Sequence, residues 1–470
     1  MSRPNVVWIL TDEWRHDAAG YAGNPVVRTP ALDELAGRGT AYRNAYCESP
    51  VCQPSRASLL TCSFPSQHGK RQNAHGAFPA PESDNVVHRL RAAGYRTLQV
   101  GKTHFSWDPY DPERRRPGPE LSRYGFDEAA EEYDKHVLME DEIETPYVAH
   151  LRSRGLLEAW RAHEREQTEA MFGRDPAGRA ALPEELEPED TLDAFLGRQA
   201  CERIERHAGG DRPFFLWVGF VGPHPPFDAP RELADLYDPA EIPLGPLGHD
   251  EWPANAYGDF IRWCVGFLNL DRYGEDDYRL MGKHYYGVLT LIDRQIGRIV
   301  ETLDRCGIAE DTWLFVSSDH GELLGDHDLV TKAVFYSASV RVPVLVVPPP
   351  GREAERREEW RIVQGIDVAA TILALAGAET GGVAGRSLLD GEPRPVAFSE
   401  IGAFSMVATP DLKLVVETAT MTPQALYDLR VDPDERTDVS GDPAYADAIA
   451  ELVERRLRPY AAGDLETATA

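Results

Sequence analysis

Five short apolar runs, Val6–Leu10, Thr97–Val100, Phe214–Val221, Trp313–Ser317 and Val342–Val347, are spread along the 470-residue chain. They are rich in β-branched or aromatic residues, and their hydrophobicity is mostly continuous rather than alternating. A strand with one wet face alternates polar and apolar residues. A strand covered on both faces does not. Between the runs lie helical patterns: Ala31–Gly39, Asp367–Ala376 and the long Asp277–Cys306, where Leu289, Ile292, Ile296, Ile299, Val300 and Leu303 recur at helical spacing. Strands alternating with helices predict an α/β architecture, a large, mostly parallel sheet flanked by helices. Ligands of such a sheet gather beyond the carboxyl ends of its strands.

The main unit is expected over residues 1–377, and a smaller second one over 378–470. After Gly377 the pattern changes to short strands such as Pro395–Ser399 and Leu412–Glu417, with a last helix over about 443–458. Residues 105–195, rich in Arg, Glu, Asp and Pro, read as a charged insertion of surface helices and loops rimming the site. The basic run Arg114-Arg115-Arg116 reads as a solvated patch. Trp107, Tyr110, Trp252, Tyr257 and Trp263 are candidates either for stacking on a substrate or for packing.

Composition excludes several classes. The net charge of −29 argues against nucleic acid and anionic membranes as partners. No apolar run reaches membrane-spanning length. The first run is too short for a signal-peptide core and lacks a small-residue cleavage site, so a cytoplasmic location is expected. Six cysteines make no disulfide framework, and the spacing of Cys47, Cys52 and Cys62 matches no zinc pattern. Free thiols are expected.

One segment carries distinctive chemistry: Cys52-Gln53-Pro54-Ser55-Arg56-Ala57-Ser58-Leu59-Leu60-Thr61. Pro54 suits the first turn of a helix, where its missing N–H costs little. That places Cys52 near a helix N-terminus beside Arg56, and both favour negative charge there. Asp12-Glu13 closes the first apolar run and Asp319-His320 closes the fourth. Two acidic strand ends, far apart in sequence, form a donor set for a hard divalent cation. Gly101-Lys102-Thr103-His104 and Gly222-Pro223-His224-Pro225-Pro226 follow two further runs, and Lys332 lies in Thr331-Lys332-Ala333-Val334-Phe335-Tyr336.

The cysteine segment resembles the signature of the sulfatase family, Cys-x-Pro-Ser-Arg-x-x-Leu-x-Thr-Gly, and departs from it only at Cys62, where the family has glycine. The resemblance implies an alkaline phosphatase-like fold whose small C-terminal subdomain is an antiparallel sheet with a helix, matched here by Leu426-Tyr427-Asp428-Leu429 and Asp432-Pro433-Asp434-Glu435. It implies that Cys52 is oxidised to formylglycine by a formylglycine-generating enzyme. The hydrate of that aldehyde is then the nucleophile.

By the same resemblance the metal ligands are Asp12, Asp319, His320 and the converted Cys52. Glu13, standing where a second Asp is usual, either reaches the metal or sits behind its ligands. Carboxylates favour calcium or magnesium and an imidazole tolerates manganese, so Ca2+ is expected, with Mn2+ or Mg2+ as alternatives. Arg56 and Lys102 are implied to hold the diol and sulfate oxygens, His224 aided by Lys332 to protonate the leaving alcohol, and His104 to take the proton that lets sulfate depart. Ser337 stands where the family lysine's Tyr-Glu pair would place Glu. Gln72-Asn73 is assigned to the pocket wall, with Asn73 binding substrate.

Arg56, Lys102 and Lys332 offset Asp12, Glu13 and Asp319, leaving the charge of the cation to face an anionic ester. The acidity of the whole chain favours a small sulfate ester over a long polyanion. Two other classes stay open: a phosphonate monoester or phosphodiester hydrolase of the same superfamily, whose members typically carry other residues at Lys102 and His104, and an anion-binding protein with Cys52 unconverted. The oligomeric state, a homo-oligomer included, is not legible.

Overall fold

Val6–Leu10, wholly buried, lies in the middle of an eight-stranded sheet. In the computed structural model all residues are described except 1–2, 74–76, 106–118, 141–142, 173–180, 249–251, 353–357, 391–392 and 470. Trp107, Tyr110 and the basic run 114–116 therefore lie outside the described residues. The strands are β1 (Asn5–Asp12), β2 (Thr40–Tyr46), β3 (Arg96–Lys102), β4 (Glu128–Glu132), β5 (Phe214–Pro223), β6 (Thr312–Ser318), β7 (Val344–Val347) and β8 (Glu358–Gln364). Their order across the sheet is β4-β3-β5-β1-β6-β7-β2-β8. Val7 pairs in register with Leu216 on one side and Leu314 on the other.

All pairings are parallel except those of β7, which runs antiparallel to β6 and β2. Continuous hydrophobicity reports burial of both faces, not direction, so the reversed strand was invisible in the sequence. Edge strand β4 lies within the charged segment read as surface helices and loops, and its half-buried Glu-Ala-Ala-Glu-Glu carries no apolar signal.

Two groups of helices pack on this sheet. The helix Glu275–Arg305 lies against Leu192–His207 and Pro30–Arg38, burying Leu289, Ile292, Ile296, Ile299 and Leu303. The helix Cys52–Thr61 lies against Gly365–Ala376 and Val86–Ala92. A second sheet, antiparallel throughout, contains β9 (Ala397–Ile401), β10 (Phe404–Ala408), β11 (Leu412–Glu417) and β12 (Thr422–Asp428), followed by helical turns from Ala446 to Ala461. It joins the main body through Glu400 N–H donating to Glu48 C=O at 2.9 Å and Lys413 Nζ donating to Phe335 C=O at 3.0 Å. No helix among the described residues is long and apolar enough to cross a membrane.

Glu48, fully buried, accepts from Ile366 N–H at 3.0 Å, and burial pushes its carboxyl from the ordinary 4.5 up to about 8. Between those values the folded chain keeps a proton that the unfolded chain has lost. Its contribution is therefore fully present at acid pH and is lost as pH rises towards 8, at up to about 1.4 kcal/mol per unit. Glu48→Gln, which cannot ionise, is expected to flatten this decline. Urea unfolding from about pH 5 to about pH 9 checks it, and parallel wild-type and variant curves would refute it.

Candidate active site

The adjacent strands β3, β5, β1 and β6 end on one rim of the sheet and deliver Lys102, His224, Asp12-Glu13 and Asp319-His320 there. Cys52 arrives as the first residue of the helix Cys52–Thr61, with Arg56 one turn further on. Asn73 Oδ1 accepts from Gln53 N–H at 3.0 Å, tying the loop after the motif to this helix start. All the motif residues named from the sequence are thus gathered in one region.

Arg56 is completely buried and holds the base of the site together. Its Nη2 lies 3.0 Å from Asp12 Oδ2, its Nε 2.8 Å from Asp319 Oδ2, and its Nη1 donates to the Lys102 carbonyl at 3.0 Å. Lys102 Nζ reaches Asp12 Oδ2 at 2.5 Å and also pairs with Asp134. Burial works to raise the Asp12 pKa, yet Lys102 and Arg56 hold it well below the usual carboxylate range.

Cys52 Sγ sits 3.2 Å from His320 Nε2, 3.2 Å from Lys332 Nζ and 3.7 Å from Asp12 Oδ1. His320 Nδ1 lies 3.0 Å from the Gly321 carbonyl, which as acceptor fixes the proton there and leaves Nε2 with its lone pair facing the cluster. One donor atom each from Asp12, Cys52, Asp319 and His320 fall within 4.8 Å of one another, all buried. Two carboxylates, one imidazole and a position for a further oxygen suit a divalent cation. Burial, then the charge of Asp12, push the Cys52 thiol up, so the unmodified side chain is a protonated, weakly nucleophilic thiol.

Glu13 belongs to a second group with Asp12 and His224. Its backbone is left-handed, with φ at 72°, and its N–H donates to Asp319 Oδ1 at 3.1 Å. Glu13 Oε2 pairs with Lys332 Nζ at 2.7 Å and lies 3.8 Å from His224 Nε2, while its Oε1 is buried without a hydrogen-bond partner among the described residues. Burial pushes the Glu13 pKa well above normal, with neighbouring Glu322 adding to the effect. Burial and then Lys332 keep His224 neutral, and its ring stacks on His136 with centroids 6.2 Å apart. His104, left-handed at φ 63° just past β3, is also kept neutral, by burial and then by Lys102.

Sequence reasoning missed Asp134, His136 and Glu322. Asp134 neutralises part of Lys102, so the charge balance read from the motifs alone was one unit too positive. It lies in the segment treated as surface. Glu322 stands two residues past His320 and was legible as part of the same strand end. Ser337, where the family pattern expects Glu, donates its N–H to Glu435 Oε2 of the C-terminal part at 2.6 Å. Tyr257 is buried, with its hydroxyl accepting from Phe335 N–H, and is a packing residue, whereas Trp263 is exposed.

Comparisons with known proteins find relatives across nearly the whole chain. A family model described as Sulfatase matches residues 4–378. The multifunctional alkaline phosphatase superfamily protein PehA of Trinickia caryophylli is 30% identical, over 97% of this chain and 95% of that protein. The choline-sulfatase of Rhizobium meliloti is 28% identical, over 94% of this chain and 83% of that protein. Among solved structures, the phosphonate monoester hydrolase SpPMH from Silicibacter pomeroyi superposes with a TM-score of 0.80 at 26% identity, over 99% of this chain and 96% of that one. The fold and these relatives define a hydrolase of the alkaline phosphatase-like type. The chain belongs to the sulfatase family.

Proposed function

We propose that the chain hydrolyses small sulfate monoesters through a formylglycine hydrate at residue 52. The observation that carries this reading is the placement of Cys52 Sγ against His320, Lys332 and Asp12, with Arg56 behind them. Asp12, Asp319 and His320, with Glu13 at the edge, would hold the cation, and the oxygen-rich donor set favours Ca2+ over Mn2+ or Mg2+. When bound, such an ion lowers the pKa of an adjacent hydroxyl and draws charge from the ester oxygens.

The roles of the side chains follow from their positions. One hydroxyl of the hydrate, ionised with its proton released to water, attacks sulfur, and the bond between sulfur and the ester oxygen breaks. His224, kept neutral in the resting site by burial and Lys332, gains basicity as the substrate anion offsets the Lys332 charge, and takes up a proton from water. It then delivers that proton to the departing alkoxide. Lys332, 3.2 Å from Sγ, shares the charge that develops there. His104 takes the proton of the second hydroxyl, the carbon–oxygen bond to the sulfate breaks, and the aldehyde is restored. Water then rebuilds the hydrate.

The name of one solved neighbour, the phosphonate monoester hydrolase SpPMH, favours a second reading, a phosphonate monoester or phosphodiester hydrolase. The Lys102–Asp12 contact and the neutral His104 at the end of β3 favour sulfate. With calcium-loaded protein whose intact mass shows the thiol exchanged for an aldehyde, kcat/KM for an aryl sulfate is expected to exceed that for an aryl phosphonate monoester by roughly a hundredfold or more. The opposite order would transfer the assignment to the second reading. Full retention of the thiol in active-site mass spectra, with no turnover, would leave an anion-binding protein.

A further inference from the structure

A second group of ionisable side chains lies behind His224, outside the site just described. Asp228, four residues past His224, is buried, as are Glu164 and Glu184. Glu164 and half-buried His163 lie on the helix Leu157–Phe172. Glu184 lies alongside the loop after β5, its N–H donating to the Ala229 carbonyl at 3.0 Å. One donor atom each from His163, Glu184 and Asp228 fall within 4.8 Å of one another.

The charges here do not balance. Lys135 pairs with Asp228 Oδ1 and is the only cation paired with the three carboxylates among the described residues. Asp228 Oδ2 and His163 Nε2 are buried without a hydrogen-bond donor among the described residues, and the Glu164 carboxyl meets that of Asp228. Leaving buried carboxylate oxygens unpaired is costly, whereas an acidic cluster whose free oxygens converge with an imidazole nitrogen is the arrangement of a cation site. Burial, then the neighbouring Asp228, push the Glu164 carboxyl well above its usual range. In the absence of an ion, a proton occupies the same place.

We infer that a divalent cation binds here, held by His163, Glu184 and Asp228, separately from the cation of the active site. Carboxylate oxygens with one imidazole accept Ca2+, Mg2+ or Mn2+, and Mn2+ is the ion that is readily counted. The ion has a structural consequence for the chemistry. Lys135 stands between Asp134, which pairs with Lys102, and His136, which stacks on His224. Asp228 continues the loop that carries His224. One ion therefore pins both segments against the helix Leu157–Phe172.

The test uses the full chain, stripped with a chelator and dialysed against Mn2+ alone, with bound manganese counted by inductively coupled plasma mass spectrometry. Wild type is expected to keep one more equivalent than Glu184→Gln, and Asp319→Asn is expected to lose a different equivalent. The Glu184→Gln variant keeps size and hydrogen-bonding capacity, so it mimics the protonated carboxyl of an ion-free cluster. Equal manganese content in wild type and Glu184→Gln overturns the inference. If Glu184→Gln does not fold, His163→Gln, at the half-buried edge, serves in its place. Loss of the same equivalent supports the site, and its retention refutes it.

Discussion

Cys52→Ala is expected to lower kcat on the preferred ester by at least about four orders of magnitude while the chain still folds. Cys52 Sγ lies within 3.7 Å of His320, Lys332 and Asp12 together. Its removal deletes both hydroxyls of the proposed hydrate, and no other described side chain takes that position. The remaining contacts are self-sufficient: Arg56 keeps Asp12 and Asp319, and Lys332 keeps Glu13. Steady-state kinetics with urea unfolding checks both halves of the expectation. Undiminished kcat would remove residue 52 from the reaction. A large fall in stability would make the loss uninformative about chemistry.

Arg56→Leu should act in the opposite way, through the fold first. The guanidinium has no exposed surface and lies between two buried carboxylates that also have none. Losing it leaves Asp319 without its buried cation and Asp12 with Lys102 alone, and breaking a buried pair typically costs about 3–5 kcal/mol. The variant should unfold at markedly lower urea, and saturating divalent cation should recover part of the difference, because an ion at the same carboxylates supplies charge in place of the guanidinium. A stability loss below about 1 kcal/mol would show that the pair of acids is neutralised by other means.

Much of the fold was legible because the central strands are covered on both faces. β1, β3, β5 and β6 announce themselves as apolar runs, and the functional loops follow from their ends. β2, β4 and β8 escaped because Thr40–Tyr46, Glu128–Glu132 and Glu358–Gln364 are mixed in polarity and half wet at or near the sheet edges. The motif residues were readable as types at strand ends, but their pairing was not. Nothing in the sequence couples Lys102 to Asp134, or Glu13 to Glu322, since those contacts depend on how separate loops fold over one rim.

The single departure from the family signature has a local cause that only coordinates reveal. Cys62 ends its helix in the left-handed conformation, φ 51°, which glycine adopts most cheaply. The thiol finds compensation by donating to the Ile366 carbonyl at 3.3 Å in a buried setting.

The depth of Cys52 also bears on when the chain becomes competent. Only 1% of the residue reaches solvent, and the helix that begins there is buried from Cys52 through Leu60. A maturation enzyme would have to reach a thiol that the finished globule leaves inside a buried helix start. The oxidation proposed for this residue therefore belongs to the interval before the sheet closes, and molecules that fold ahead of it are locked out of activity until they unfold again.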